Sequence, residues 1–291
     1  MSGPASALLA DGRLHLQHGP IDLIISADGP PAEVASAYEA ARLAFAAVLP
    51  VLAGELALLR QPLGRRKPPV TGVIARAMAA ACWPYRDVFI TPMAAVAGAV
   101  ADHMLRAMSG AARLNRAMVN NGGDIALHLA PGQSARIAVA GRPDRPEISG
   151  RFTIRHQDAS RGIATSGWRG RSFSLGIADA VTVLAATAAS ADAAATIIAN
   201  AVNAEHPSII RQPAQDIQID SDLGAMMVTT AVGALPPAIA AAALKAGEAR
   251  AGGLIAAGLI HGAVLQLASE IVVAGGAAVY LPAGPSERLA E

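Results

Sequence analysis

The chain has 291 residues, 53% of them apolar but only 3% aromatic, and a formal net charge of +1. That length supports one large domain or two small ones with a sizeable core. The near-neutral charge excludes a general nucleic-acid or acidic-surface binder. The basic run Arg65-Arg66-Lys67 lies between Pro62 and Pro68-Pro69 and reads as a solvated loop. Two uncharged or nearly uncharged stretches, Ala251 to Ser269 and Leu223 to Leu244, approach the length of a membrane span. The first carries four glycines, His261 and Gln266 without basic flanks, and the second contains Pro236-Pro237, so both read as buried elements. The N-terminus lacks a basic segment followed by a long apolar one, and Cys82 is the sole cysteine. No signal peptide, disulfide or membrane association is therefore expected, and the expected location is the cytoplasm.

Taken in chain order, Gly12 to Ala27 predicts a hairpin turning at His18-Gly19-Pro20, with Leu14 and Leu16 alternating with polar residues. Ala32 to Arg60 is helical in pattern, with Pro50 expected to end or kink it. A Pro-rich loop over residues 62–69 precedes a helix from Gly72 to Cys82. Thr91-Pro92 opens another, Met93 to Met108, because Thr91 can cap and Pro is tolerated in a first turn. Strands follow at Arg116 to Asn120, Asp124 to Leu129 and Ala135 to Ala140. The Pro-rich connection Arg142 to Pro146 is the candidate boundary between halves 10–141 and 147–282 of a single domain.

The second half predicts strands at Arg151 to His156, Arg171 to Leu175 and Ala180 to Ala185, then a helix from Ala191 to Val202. Asp216 to Asp220 is strand-like, Leu235 to Gly247 helical, Ala251 to Leu267 ambiguous, and Glu270 to Tyr280 a closing strand. Strands, helices and strands appear twice, which predicts an α+β architecture with predominantly antiparallel sheets.

Three loops stand out. In Asn120-Asn121-Gly122-Gly123-Asp124, two glycines let backbone N–H groups approach a phosphate or ring system, and Asn121 and Asp124 can support the turn. The same residues also make an ordinary hairpin turn. Adjacent hydroxyls in Thr165-Ser166-Gly167 can bind a phosphate or sugar, or simply satisfy a turn. Asp192 is expected to begin a helix, with Thr196 four residues on along the same face. That pair supplies two oxygen ligands for a hard ion such as Mg²⁺; the alternative is that Asp192 caps the helix. Seven histidines are scattered without metal-ligand spacing beyond His15 and His18, and Asp102 and His103 are expected to face solvent or a neighbouring loop.

In order and spacing these segments resemble the flavin transferases of the ApbE superfamily, which carry an N-x-G-G-D turn, a T-S-G turn and a D-A-x-[AS]-T helix start. The resemblance is closer to a poorly characterised branch with P-M-A-A-V-A-G, N-G-G-D, A-T-S and A-D-A-V-T-V segments. Here these are Pro92 to Gly98, Asn121 to Asp124, Ala164 to Ser166 and Ala178 to Val183, and the resemblance spans roughly residues 10 to 270.

The resemblance implies two T-fold-like antiparallel sheet units packed with helices around a central cleft that binds FAD or FMN. It implies Mg²⁺ held by Asp192 and Thr196 with the Ala195 carbonyl. It also implies a nucleotide site lined by Asn121, Gly122, Gly123, Asp124, Thr165, Ser166 and Gly167. The family's acidic and lysine positions are Thr91 and Ala97 here, and its His-Ile-x-Asp-Pro segment is replaced by Gly170-Arg171-Ser172-Phe173-Ser174. Arg171 can hold phosphate but cannot act as a general acid or base near neutral pH. Three functions stay open: a Mg-dependent transferase or pyrophosphatase acting on FAD, a flavin-binding protein without transfer, and a protein acting on another small anionic ligand. A homo-oligomer is compatible with each of them.

Overall fold

Alternation of buried and more exposed residues shapes the second and third strands, while the first is exposed throughout. β1 (Ala5–Leu8), β2 (Leu14–His18) and β3 (Ile21–Asp28) form an antiparallel meander. Leu14, Leu16, Leu23 and Ile25 are buried, as a two-residue period requires. Gly19, at φ +58, occupies the first central position of the two-residue β2–β3 turn, where the tight hairpin needs a positive φ.

A computed structural model describes residues 3–140, 148–275 and 281–282. The chain forms two compact units. The first comprises Met1–Ala135, Arg155–Ala164 and Ala185–Ala193; the second comprises Arg136–Ile154, Thr165–Leu184 and Ala194–Glu291. The Arg142 to Pro146 connection lies outside the described residues.

In the first unit, β3 is followed by α1 (Pro31–Leu59), α2 (Val73–Cys82) and α3 (Val96–Ala111). The buried residues of α1 include Ala37, Ala41, Phe45, Val48 and Leu52, spaced by three and four along one stripe. Burying Phe45 contributes roughly 1.5–3 kcal/mol. Pro50 does not end this helix. It lies on the exposed side, where the Ala46 carbonyl that loses its donor is also exposed. α1 is long and apolar enough to cross a membrane, and 22% of its most apolar window is buried.

β4 (Arg116–Asn121) and β5 (Asp124–Leu129) extend the meander, and β8 (Gly162–Ser166) pairs with β5 through Ile163 and Gly162. Every one of these pairings is antiparallel. The intervening strands are β6 (Ser134–Ala140) and β7 (Ile148–Arg155).

The second unit contains β9 (Ala180–Ala185) and most of α4 (Ala188–Ala201), which starts in the first unit. β10 (Ile209–Pro213) and β11 (Met227–Val232) form an antiparallel ribbon around the short α5 (Ala214–Ile217). Helix α6 (Pro237–Ala256) precedes β12 (Gly262–Leu267) and β13 (Glu270–Gly275). β12 lies antiparallel between β9 and β13, and α6 packs on it. At Gly247 a Cβ would meet side-chain methyl groups of Val202 and Leu265, so α6 lies close against them there. Leu281–Pro282 pairs antiparallel with β7 in a small sheet that also contains β6.

The architecture is thus α+β with antiparallel sheets, as expected. Several local expectations differ. Arg171 to Leu175 is a loop rather than a strand, because the Leu175 N–H goes to the Asn200 side chain (2.9 Å). Asp216 to Asp220 is not a strand either: Ala214 and Gln215 donate to Met226 and Gly224 and close an excursion that leaves Ile219 95% exposed. The stretch Ala251 to Ser269 divides into the end of α6, a turn and β12.

Candidate functional site

The Asn120 to Asp124 segment folds as a two-residue hairpin with Gly122 at φ +64 and Gly123 at φ +111. Two consecutive positive φ values explain both glycines. Asn121 and Asp124 flank the turn as ladder partners, and Asn120 Oδ1 accepts from the Gly123 N–H (2.8 Å) within it. Asn121 and Asp124 are both buried. Asn121 Nδ2 donates to the Ala97 carbonyl (3.1 Å), tying the strand end to the first turn of α3.

That first turn is prepared by the Pro92 to Gly98 segment. Thr91 Oγ1 accepts from the Met93 N–H (3.2 Å) and caps a 3-10 turn, Pro92–Ala95, that leads directly into α3. The acidic position of the resemblance is therefore a helix cap here. At Gly98 a Cβ would overlap the Ala188 carbonyl, so the starts of α3 and α4 meet at backbone distance.

Helix α4 begins at Ala188, four residues before Asp192. Its cap is Thr187, whose Oγ1 accepts from the Ser190 N–H (3.1 Å). Asp192 therefore lies in the second turn and is not the cap of its own helix. Its Oδ2 accepts the Gly98 N–H (3.0 Å), and the Ala97 N–H also lies against it, at the electropositive start of α3.

Asp124 stands beside Asp192, within hydrogen-bonding reach. Burial, and then the Asp124 charge, hold the Asp192 carboxyl well above the usual carboxylate range. Two carboxylates in one enclosed place share a proton or a cation; the oxygen-only donor set and the converging charge suit a divalent ion such as Mg²⁺. Among the described residues no group of three or more His, Cys, Asp or Glu converges.

Other first-unit groups have structural partners. Cys82 is buried, its thiol pushed well up by burial and then by Asp192. His15 pairs with Asp22 (2.9 Å) while His18 is buried, so three-residue spacing on a strand sends them to opposite faces. Asp102, expected to face solvent or a neighbouring loop, is buried and accepts from the Ala188 and Ala189 N–H groups at the start of α4 (3.0 Å each). Burial lowers the pKa of His103 beside it in sequence.

The second unit holds Thr165, Ser166, Gly167, Arg171, Ala195 and Thr196. Thr165 and Thr182 share a hydroxyl–hydroxyl bond (2.8 Å), which occupies one of the hydroxyls proposed for ligand contact. At Gly167 a Cβ would come within 2.5 Å of the Asp179 carbonyl oxygen, so the turn rests directly on the chain before β9. Arg171 is exposed on the following loop, Ala195 is buried, and Thr196 is half-buried one helical turn after Asp192.

Asp179 organises this loop. Buried, it accepts from Trp168 Nε1 (3.1 Å), Arg169 Nε (2.5 Å) and the Ala268 N–H (2.6 Å). Arg169 also lies over the Trp168 ring, 4.3 Å from its centre. The sequence signal was the other Asp-Ala pair, Asp179-Ala180, which carries no distinctive chemistry when read alone. For Gly98 the signal was a glycine inside a helical run, which marks close backbone approach.

Relatives include a UPF0280 protein of Methanopyrus kandleri, 35% identical over 147 residues covering 50% of this chain and 56% of that protein. A UPF0280 protein of Methanoculleus marisnigri is 39% identical over 159 residues, 52% of this chain and 62% of the relative. The matched region thus spans less than two thirds of these relatives. Among solved structures, the apo flavinyl transferase ApbE of Pseudomonas stutzeri is similar at 13% identity with a TM-score of 0.46, covering 94% of each chain. Residues 6–276 match the family described as AbpE bacteria, and the chain belongs to that family.

Proposed function

We propose that the protein is a Mg-dependent enzyme acting on the pyrophosphate of FAD or a related flavin nucleotide, by FMN transfer or by hydrolysis. The observation that carries this reading is the Asp124–Asp192 pair, two neighbouring carboxylates at the start of α3, with Asp192 not the cap of its own helix. A bound divalent ion would polarise the pyrophosphate and stabilise charge on the leaving phosphate. Asp192 and Asp124 would hold it, with Thr196 and the Ala195 carbonyl as the further ligands implied by the resemblance.

The chain's own contribution is positional. The Gly98 N–H fixes one Asp192 oxygen, and the Gly122-Gly123 turn presents backbone without side chains. The Thr165-Ser166 turn is braced through Thr182 and Asp179 and offers the Ser166 hydroxyl to a phosphate or sugar. Arg171, exposed and cationic, is suited to bind phosphate, not to transfer a proton.

Incubation of the protein with FAD and Mg²⁺ tests the reading. AMP release that is lost in Asp192→Asn supports it; no release, or equal release by the variant, overturns it. A second reading, flavin binding without transfer, is favoured by Ala97, which stands at the family's lysine position and gives its carbonyl to Asn121. A stoichiometric yellow complex that survives gel filtration without AMP release supports that alternative.

A further inference from the structure

We propose that Asp102 is a positioning residue that fixes the start of α4 against α3 and so sets where Asp192 presents its carboxylate. The inference rests on the reading of Asp124 and Asp192 as a divalent-ion site. A helix leaves its first backbone N–H groups without internal partners. In α4 the Ser190 N–H is satisfied by Thr187 Oγ1, and the Ala191 N–H closes the first helical bond to the Thr187 carbonyl (3.1 Å). The Ala188 and Ala189 N–H groups are taken by Asp102, one carboxylate oxygen each, from the second turn of α3.

The two ties between these helices run in opposite senses. Asp102 of α3 accepts from the first residues of α4, and Asp192 of α4 accepts from Gly98 of α3. Gly98 and Asp102 are four residues apart, and so are Ala188 and Asp192; each pair therefore shares a helix face. Two ties one turn apart fix both the sliding and the rotation of α4, which a single bond cannot do. The absent Cβ at Gly98 permits the backbone contact on which both depend. Thr187 satisfies only the Ser190 N–H, so the first two donors of α4 depend on a carboxylate from another helix.

Amide exchange by NMR and Mn²⁺ affinity by EPR, measured on wild type, Asp102→Asn and Asp102→Ala, test the proposal. Phe45→Leu, a core variant in α1, serves as a control for general destabilisation. In the Asp102 variants the Gly98 N–H should exchange faster than stability loss alone explains. Mn²⁺ affinity should fall about 10-fold or more, as supporting residues around a metal site typically require. The Asn variant, which keeps one acceptor, should fall between wild type and Ala and guards against a failure of Ala to fold. Gly98 exchange and Mn²⁺ affinity that follow global stability as in Phe45→Leu would overturn the proposal. If wild type binds no Mn²⁺, the metal reading fails, and Gly98 exchange alone decides whether Asp102 positions Asp192.

Discussion

The Gly98 backbone N–H and the Asp192 carboxylate, 94 positions apart in sequence, form a 3.0 Å hydrogen bond between the first turn of α3 and the second turn of α4. Because α4 is already capped by Thr187, this bond is not a cap of the helix that carries Asp192. It places a carboxylate at the positive end of another helix, with Asp124 alongside. A carboxylate held this way is restrained in geometry.

Gly98→Ala should weaken this arrangement from the opposite side. Its new methyl group would overlap the Ala188 carbonyl, and backbone cannot yield as a flexible side chain can. Overpacking of this kind costs about 1–3 kcal/mol. Urea unfolding should show that loss, accompanied by weaker divalent-ion binding; a stable variant with unchanged binding would show that the close approach is dispensable.

Proton linkage gives a second expectation. The Asp192 carboxyl titrates well above its ordinary 3.8, so the folded protein holds a proton there more tightly than the unfolded chain does. This group's contribution to stability is fully present below 3.8 and is lost as pH rises through the folded value. A divalent ion displaces the proton, so its affinity should rise with pH across the same range. Calorimetry of Mg²⁺ binding in buffers of different ionisation enthalpy should detect proton release; identical heats in every buffer would contradict it.

Asp179→Ala should release the loop after Thr165-Ser166. Arg169 would lose this ion pair and Trp168 its indole acceptor. Breaking a fully buried pair costs roughly 3–5 kcal/mol, and the loss here should fall toward the lower end because Arg169 remains partly exposed. Measured with Trp83→Phe in the background, Trp168 emission should shift to the red. Unchanged emission would mean that the loop is held without Asp179.

Much of this was legible in the sequence because the physics is local. Gly122-Gly123 announces a hairpin since two positive φ values exclude side chains, and Leu14, Leu16, Leu23 and Ile25 reveal their strands by alternation. Thr91-Pro92 reads correctly as a cap and first turn. The partners of Asp102 and Asp192 were not legible, since each is a contact between distant helices. The start of α4 was misplaced because Ala188-Ala189 carries no signal and the nearer Asp192 looks like a cap. Arg171 to Leu175 has the composition of a strand, but its backbone bonds to Asn200 instead. Pro50 signals a helix end or a kink, and its exposed position lets the helix continue through it.

Glu55 provides a pH test away from the site. Its carboxylate accepts the Thr71 and Gly72 N–H groups ahead of α2, and these bonds, that of Thr71 first, lower its pKa below 4.5. A depressed carboxylate contributes stability above 4.5 that is lost as pH falls through the folded value. Glu55→Gln should therefore be less stable than wild type at neutral pH and lose less stability on acidification. Parallel stability curves for the two proteins from pH 7 to acid would refute the assignment.

The most direct measurement is Mn²⁺ binding followed by EPR for wild type, Asp124→Asn and Asp192→Asn at neutral to mildly alkaline pH. The carboxylate-pair account predicts one ion bound by wild type and a loss of affinity in each variant, with all three proteins folded. Wild type that binds no ion, or variants that bind it as tightly as wild type, would contradict the assignment of Asp124 and Asp192 as a divalent-ion site.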